Sequence, residues 1–181
     1  MLTVFLAILA VVAIAFIAVY NKLIKMKNRG DEAWADVLAL LKQRYDMIPN
    51  LVNIVKGYAK HEKGIFEKVA ELRAMAQGVK TPKDAQKADN MFTSTLKSLF
   101  AVAENYPELK ANQNFLNLQN TLKDLEDTIQ KARRYYNAVV RDYNNILMVF
   151  PNNLIAGMLG FKKRDFYNIP DEQAKNVKVE F

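Results

Sequence analysis

The chain has 181 residues, a formal net charge of +7, no cysteine and a single histidine. This composition excludes disulfide bonds, thiolate metal sites and any metal centre that requires several histidines, and we expect no cofactor. Six glycines and five prolines leave long stretches that contain neither, which favours an all-α protein.

Residues 1–20 are apolar apart from Thr3 and carry no charge. A helix needs about 20 apolar residues to cross the core of a bilayer, so this stretch predicts a single-pass transmembrane anchor. A cleaved secretory signal is the alternative. Such a signal usually opens with positive charge and has an apolar core of only about 7–15 residues. Because no Lys or Arg precedes this longer stretch, we expect a retained anchor.

A basic collar follows the anchor and consists of Lys22, Lys25, Lys27 and Arg29. Lysine and arginine beside a span contact lipid headgroups, and their excess on one side predicts that this side is cytoplasmic. The N-terminus would then lie outside the inner membrane. Setting the four collar charges aside reduces the net charge from +7 to +3, so the basic composition gives no support for a nucleic-acid partner.

The next predicted element is a long helix with an apolar seam at heptad spacing. Its seam residues are Trp34, Leu38, Leu41, Tyr45, Ile48, Val52, Val55, Ala59, Phe66, Val69 and Ala76. Pro49 lacks a backbone donor and clashes with the preceding turn, which predicts a kink near residues 45–48. Apart from this kink, the pattern predicts one continuous arm that ends at Ala76.

Two further helices are predicted after a turn at residues 78–82. The first runs from Pro82 to about Glu104, with Thr81 as its N-cap and Pro82 in its first position. The second covers residues 112–149 and stops before Pro151. Its seam has eleven positions without a miss: Phe115, Leu118, Leu122, Leu125, Ile129, Ala132, Tyr136, Val139, Tyr143, Ile146 and Phe150.

This element order predicts an all-α fold with three regions. Residues 1–20 form the transmembrane helix, and residues 21–161 form an elongated antiparallel bundle of three long helices with coiled-coil-like packing. A short C-terminal helix is expected at residues 152–161 within that bundle. Residues 162–181 are expected to be a basic cluster followed by a poorly structured tail.

A polar stripe on the last long helix is one candidate interaction surface. It consists of Arg134, Asn137, Arg141 and Asn144, which are offset by about 200° from the apolar seam and should face away from the core. Two interpretations remain open. The stripe is either an ordinary solvated face or a contact surface for another copy or another protein, which arginine and asparagine suit well.

A second candidate is the segment that combines apolar and basic residues after Pro151. It contains Leu154, Ile155, Met158, Leu159, Phe161, Lys162, Lys163 and Arg164. Such a composition is compatible with an interfacial membrane helix. If the three long helices run away from the membrane, back and away again, the segment begins at the far side of the bundle. It would then either cap the core or dock on a neighbour or an apposed bilayer.

No pattern in the sequence indicates catalysis or a small-molecule substrate. His61-Glu62 resembles the start of a helical zinc-protease motif, but the second histidine is replaced by Ile65. We therefore expect an exposed helix histidine here. The carboxylates are scattered, as on a solvated helix face.

Dispersed sequence blocks resemble the LemA family of bacterial membrane proteins. They include Glu32-Ala33-Trp34, Arg44-Tyr45-Asp46-Met47-Ile48-Pro49-Asn50-Leu51-Val52, Ala103-Glu104-Asn105-Tyr106-Pro107-Glu108-Leu109-Lys110-Ala111 and Arg133-Arg134-Tyr135-Tyr136-Asn137. The resemblance implies one N-terminal span, an elongated antiparallel helical domain and no enzymatic activity. Members are associated with the cell envelope and, in one branch, with building intracellular membrane compartments. The chain departs from the family pattern at Gln43 and at Gly30, which is usually aliphatic and is here a candidate hinge.

Together these observations favour a membrane-anchored, non-enzymatic scaffold in the bacterial cytoplasmic membrane that forms a homo-oligomer or recruits a membrane protein. Restriction to a surface raises effective concentration, so weak lateral contacts suffice for assembly. The alternatives are a membrane-remodelling or lipid-binding module and an accessory subunit of an envelope protease or related machine.

Overall fold

The computed structural model describes residues 1–59 and 63–167, and within them the chain is all-α with no strand. The helices are α1 (Leu2–Asp46), α2 (Ile48–Tyr58), α3 (Lys63–Gln77), α4 (Pro82–Glu104), α5 (Pro107–Lys110), α6 (Gln113–Ile146) and α7 (Asn152–Met158). His61 and most of the predicted C-terminal tail lie outside the described residues.

Helix α1 continues without a break from the apolar stretch as far as Asp46. Its most apolar part has the length and composition needed to cross a membrane, and none of that part is buried in the protein. The core helix of a soluble protein would instead be covered. Gly30 lies in the middle of α1 and is buried, so the predicted hinge is wrong for this structure.

The predicted kink at Pro49 is confirmed as a helix break. Helix α1 ends at Asp46, and α2 begins at Ile48 with Pro49 in its first turn, where the missing N–H of proline leaves no bond unmade. The continuous arm as far as Ala76 is wrong, because α2 ends at Tyr58 and α3 is a separate helix. The predicted seam itself holds, since all eleven of its residues are buried or half-buried.

Helix α4 has the predicted bounds and the predicted cap. The Thr81 hydroxyl accepts a hydrogen bond from the Asp84 backbone N–H at 3.2 Å, and the Asp84 carboxylate accepts from the Thr81 backbone N–H at 3.2 Å and from its hydroxyl at 2.8 Å. This reciprocal pair is a capping box. The hydrogen bonds from Thr81 hold the pKa of the Asp84 carboxyl below its ordinary value.

Helices α6 and α7 are shorter than predicted at their C-terminal ends. Helix α6 stops at Ile146, and the seam residue Phe150 beyond it is 74% exposed. Helix α7 stops at Met158 because Gly160 adopts a φ of 71°. The Phe161 N–H then reaches the Ala156 carbonyl at 3.0 Å, which satisfies a helix-end acceptor in a Schellman arrangement.

The chain divides into two compact units. Unit 1 contains Met1–Val37 and Ala132–Phe166, and unit 2 contains Leu38–Lys131 and Tyr167. A core cluster of unit 1 joins Leu23 to residues near the ends of α6 and α7, with Tyr143, Leu147 and Ala156 all buried. The core of unit 2 combines α2–α6 and includes Leu51, Val55, Leu72, Phe92, Leu99, Leu109 and Phe115. The single antiparallel bundle stays a prediction.

Candidate functional site

Within unit 1, α6 runs antiparallel to α1. Trp34 packs on Tyr136 with ring centroids 5.2 Å apart, and Leu23 shares a buried cluster with Tyr143 and Leu147. Contacts nearer the membrane span therefore involve later residues of α6. The end of α6 and the residues Ile155 and Ala156 of α7 therefore share the cluster of Leu23, and Val19 of the apolar stretch packs against this cluster.

This placement corrects the expectation that residues 154–164 begin at the far side of the helical domain. Ile155 and Phe161 pack against the cluster around Leu23, whereas Leu154, Met158 and Leu159 are 58%, 79% and 44% exposed. The segment therefore covers a core with one face of α7, as the first interpretation expected, while another face of α7 is exposed; docking on a neighbour or an apposed bilayer stays a prediction. Lys162 and Lys163 are exposed directly after it.

The collar lysines are exposed, as predicted for groups that contact headgroups. Arg29 is also exposed, but its Nε donates to the Tyr135 hydroxyl at 3.1 Å and its guanidinium lies 5.7 Å from the centroid of that ring. This hydrogen bond raises the pKa of Arg29 above its ordinary value. Arg29 thus connects the collar of α1 to α6 in addition to any role at the membrane.

The polar stripe on α6 is only partly as predicted. Arg134 and Arg141 are exposed, and Arg141 forms an ion pair with its neighbour Asp142 at 3.0 Å. Asn137 is half-buried and already engaged. Asn144 does not face away from the core: it is 8% exposed, because the segment after α7 covers it.

Asn144 and Arg164 form a latch that fixes this segment. The side-chain amide of Asn144 donates to the Arg164 carbonyl at 3.0 Å, and its oxygen accepts from the Arg164 N–H at 2.9 Å. The Arg164 guanidinium donates to the Lys27 carbonyl at 3.2 Å and pairs with Asp31. It lies against Gly30, where an added Cβ would be only 3.2 Å from its Cζ and Nε atoms. Gly30 therefore provides the space for Arg164.

Two buried tyrosines complete this part of unit 1. The Tyr136 hydroxyl donates to the Asp165 carbonyl at 2.9 Å, and the Tyr143 ring lies beneath Arg164. Burial raises the pKa of both phenols above the ordinary value. Burial thus makes ionisation of both phenols less favourable than in water.

Sequence reasoning missed a buried ion pair in unit 2. Arg44 and Asp89 are only 5% and 6% exposed, and Arg44 Nη1 donates to Asp89 Oδ1 at 2.5 Å. Arg44 Nη2 is also 2.8 Å from Glu126 Oε2, a charge contact without hydrogen-bond geometry. The guanidinium covers the Phe92 ring at 3.9 Å. The available signal was Asp89 itself, which lies one turn after Ala85 and one before Phe92 on the buried face of α4.

No arrangement for catalysis emerges from these groups. Among residues 1–59 and 63–167 there is no group of three or more histidine or carboxylate side chains that is placed to hold a metal ion. Arg29 and Arg44 connect α1 to other helices, and Arg164 connects the segment after α7 to α1. The most unusual exposed feature is the apolar surface beside the end of the span.

Comparison with known proteins identifies the family. Residues 33–181 match the model of the LemA family. The chain belongs to this family. The resemblance that the sequence blocks indicated is thereby confirmed, and the matched region includes α2–α7.

Relatives of this LemA-family chain include magnetosome proteins. It is 26% identical over 184 residues to magnetosome protein MamQ 2 of Paramagnetospirillum magneticum, covering 85% of this chain and 68% of the relative. It is 24% identical over 159 residues to protein LemA of Metamycoplasma hominis, covering 87% and 70%. It is also 24% identical over 193 residues to MamQ of Magnetospirillum gryphiswaldense, covering 90% and 71%.

Family membership and the apolar α1 together suggest a membrane-associated protein held by an N-terminal anchor. The names LemA and MamQ denote no enzymatic activity. They are consistent with the lack of a catalytic arrangement among the described residues.

Proposed function

We propose that this protein is a non-enzymatic scaffold, anchored in the bacterial cytoplasmic membrane, that self-associates through exposed side chains of α6. The observation that carries the proposal is that, within unit 1, α1 continues without a break from the apolar stretch into the residues on which α6 packs. A domain joined to its anchor by a helix has less freedom than one on a flexible linker. Its lateral surfaces therefore meet those of neighbouring copies at high effective concentration.

Arg134 and Arg141 are the side chains proposed to make the lateral contact. They are seven residues apart on α6, which places them two turns apart on one face. The Arg141 side chain is 63% exposed, and its ion pair with Asp142 is also solvent-exposed. Such an exposed pair contributes little to folding, so Arg141 remains available to a carboxylate or carbonyl of a second copy.

The test is the mass of the full-length protein in mild detergent, measured by light scattering for the wild type and for the double variant Arg134→Glu, Arg141→Glu. We expect a large wild-type particle that the double variant reduces to the monomer mass, with helicity by circular dichroism unchanged. The matched control is Lys123→Glu, Lys131→Glu, which makes the same charge change at exposed positions of the same helix. A monomeric wild type, or equal assembly by both variants, contradicts the proposal.

The proposed orientation places the N-terminus outside and the helical domain in the cytoplasm, in accord with the collar and the positive-inside rule. Because the chain has no cysteine, the variant Ala35→Cys carries a single thiol. On intact cells, a membrane-impermeant maleimide should leave this thiol unlabelled until the cells are lysed. Labelling before lysis would show that residue 35 lies outside the cytoplasm and would contradict the proposed orientation.

A further inference from the structure

An apolar patch in unit 1 has no cover within its own unit. It consists of Met148, Val149, Phe150, Leu154, Met158 and Leu159, which are 53%, 55%, 74%, 58%, 79% and 44% exposed. Single exposed apolar side chains are ordinary on protein surfaces, but a concentration of six within twelve residues marks an interaction site. We refer to these six residues as the α7 patch.

The opposite face of α7 determines where the patch points. Ala156 is buried and Ile155 is half-buried in the cluster that contains Leu23. Leu154 and Met158 are four residues apart and therefore share a different face of the helix. Helix α7 thus has two apolar faces. One of them covers a protein core, and the other is exposed.

The height of the patch along α1 identifies its environment. With residues 1–20 in the bilayer core, Leu23 lies about 4.5 Å beyond the core along the helix axis. The headgroup layer on each side of a bilayer is about 5–7 Å thick. Ala156 of α7 shares a buried cluster with Leu23, and Val19 and Met26 of α1 also pack against this cluster. Helix α7 is therefore held beside the first turns of α1 after residue 20, at the level of the headgroups.

The charges around the patch agree with that environment. From Tyr143 to Arg164 the sequence contains no Asp or Glu. Lys162 and Lys163 follow the patch and are exposed, as are Lys22 and Lys25 of the collar. An apolar surface bordered by lysines is the composition that interfacial helices present to anionic lipid.

The latch keeps this arrangement in place. Arg164 is clasped through its backbone by Asn144 and through its side chain by Asp31 and the Lys27 carbonyl. The segment from Leu147 to Arg164 is therefore attached to α1 and α6 at both of its ends. The α7 patch is therefore held at a fixed position along α1 and does not lie on a loosely attached segment.

We propose that the α7 patch inserts into the interface of the same bilayer that α1 spans, so that the protein holds its membrane through two elements instead of one. The occupant of the patch is the lipid surface, because the covered face of the same helix shares a cluster with Leu23, which lies within one helical turn of residue 20. This inference does not rest on self-association and applies equally to a single copy.

The test measures lipid contact at single engineered thiols in the full-length protein. Variants Met158→Cys and Leu154→Cys each carry one fluorophore, in nanodiscs that hold one protein copy and contain phosphatidylglycerol, phosphatidylcholine and lipids spin-labelled near the headgroup. Ala18→Cys, exposed inside the span, is the reference for lipid contact. Ala35→Cys, exposed on α1 about 22 Å beyond residue 20, is the reference for water.

We expect the spin-labelled lipids to quench the fluorophores at 154 and 158 at least about threefold more strongly than that at 35, since contact quenching needs a separation well below 22 Å. Iodide in the water should quench them correspondingly less. Equal behaviour at 35, 154 and 158 would overturn the proposal. Protection from iodide without lipid quenching would also overturn it, because protein would then cover the patch. Protection that appears only in discs with several copies would do the same, because a second copy would then cover the patch. Helicity equal to the wild type verifies that each variant is folded.

Discussion

The two units differ in how completely they cover their own apolar side chains. Among the residues of unit 2 that the structure describes, the exposed large apolar residues are Tyr58, Met75 and Leu116, each by 38% or less. Unit 1 exposes the α7 patch by as much as 79%, in addition to the apolar stretch of α1. Among the described residues, unit 1 thus exposes far more apolar surface than unit 2, which is the difference expected if another apolar phase covers part of unit 1.

Polar groups also serve different purposes in the two units. In unit 2 the Arg44–Asp89 pair is enclosed within the helical core. In unit 1 the Asn144–Arg164 latch fixes a peripheral segment whose outer face is open. A buried ion pair contributes mainly through the penalty for breaking it, whereas the latch determines where the α7 patch is held. The following predictions test this contrast in order of decreasing effect.

The largest effect is expected for Asp89→Asn. Removing one charge of a buried pair typically costs about 3–5 kcal/mol, and we expect the lower end because Glu126 remains near Arg44. The free energy of unfolding of the full-length protein in detergent, measured by urea titration with circular dichroism, should fall by about 3 kcal/mol.

Asp127→Asn is the matched control for this measurement, since Asp127 is exposed on α6 and should change the stability by less than about 0.5 kcal/mol. The triple variant Arg44→Met, Asp89→Leu, Glu126→Gln should recover most of the loss, because it leaves none of the three charges of this cluster in place. Equal stabilities for Asp89→Asn and Asp127→Asn would show that the ion pair is not enclosed as described.

A smaller and more local effect is expected for Asn144→Ala. The change leaves the partly buried N–H and C=O of Arg164 without their present partners, at a cost of about 1–2 kcal/mol. Hydrogen exchange of residues 161–166 should accelerate, while exchange in α4 of unit 2 stays unchanged. The neighbouring Asn145→Ala, at an exposed position, should leave both regions as in the wild type. Uniform acceleration across both units would remove the distinction between a latch and a core contact.

The smallest effect is expected for Gly30→Ala. Alanine favours a helix interior by about 1 kcal/mol over glycine, but the added Cβ would be 3.2 Å from the Arg164 guanidinium. We therefore expect almost no net stabilisation in the wild type and about 1 kcal/mol in an Arg164→Ala background. Gly57→Ala has open space around its Cβ and should respond alike in both backgrounds. If Gly30→Ala also changes the stability equally in both backgrounds, the Arg164 guanidinium does not pack against Gly30.

Much of the helical pattern follows from local signals. The bounds of α4 could be predicted because Thr81 and Pro82 act within one turn, and the break at Met47 because Pro49 acts on its own helix. The missed division between α2 and α3 has no such signal, since Val52, Val55, Phe66 and Val69 keep one seam across it. Heptad spacing records which side chains are buried but does not require that one helix buries them all.

The candidate sites were less predictable because their geometry depends on distant parts of the chain. Asn144 has the correct helical phase for an exposed residue, yet Arg164 returns to cover it. The burial of Arg44 could not be predicted locally, because its partner Asp89 lies on another helix. Lipid-facing and core-facing roles within residues 154–161 have similar compositions, so only their placement separates Ile155 from Met158.

The sequence by itself determined the anchor, the basic collar, the all-α class, the buried seams and the membership of the LemA family, because each depends on composition or on the period of a helix. Only the tertiary structure decided that α6 returns to the end of the span, that Gly30 accommodates Arg164, and that α7 has one covered and one open apolar face. The physical reason is that the exposure of a side chain depends both on its own helix and on the surface that packs against that helix. A helix carries its own periodicity, but the partner that covers it is brought by the rest of the fold.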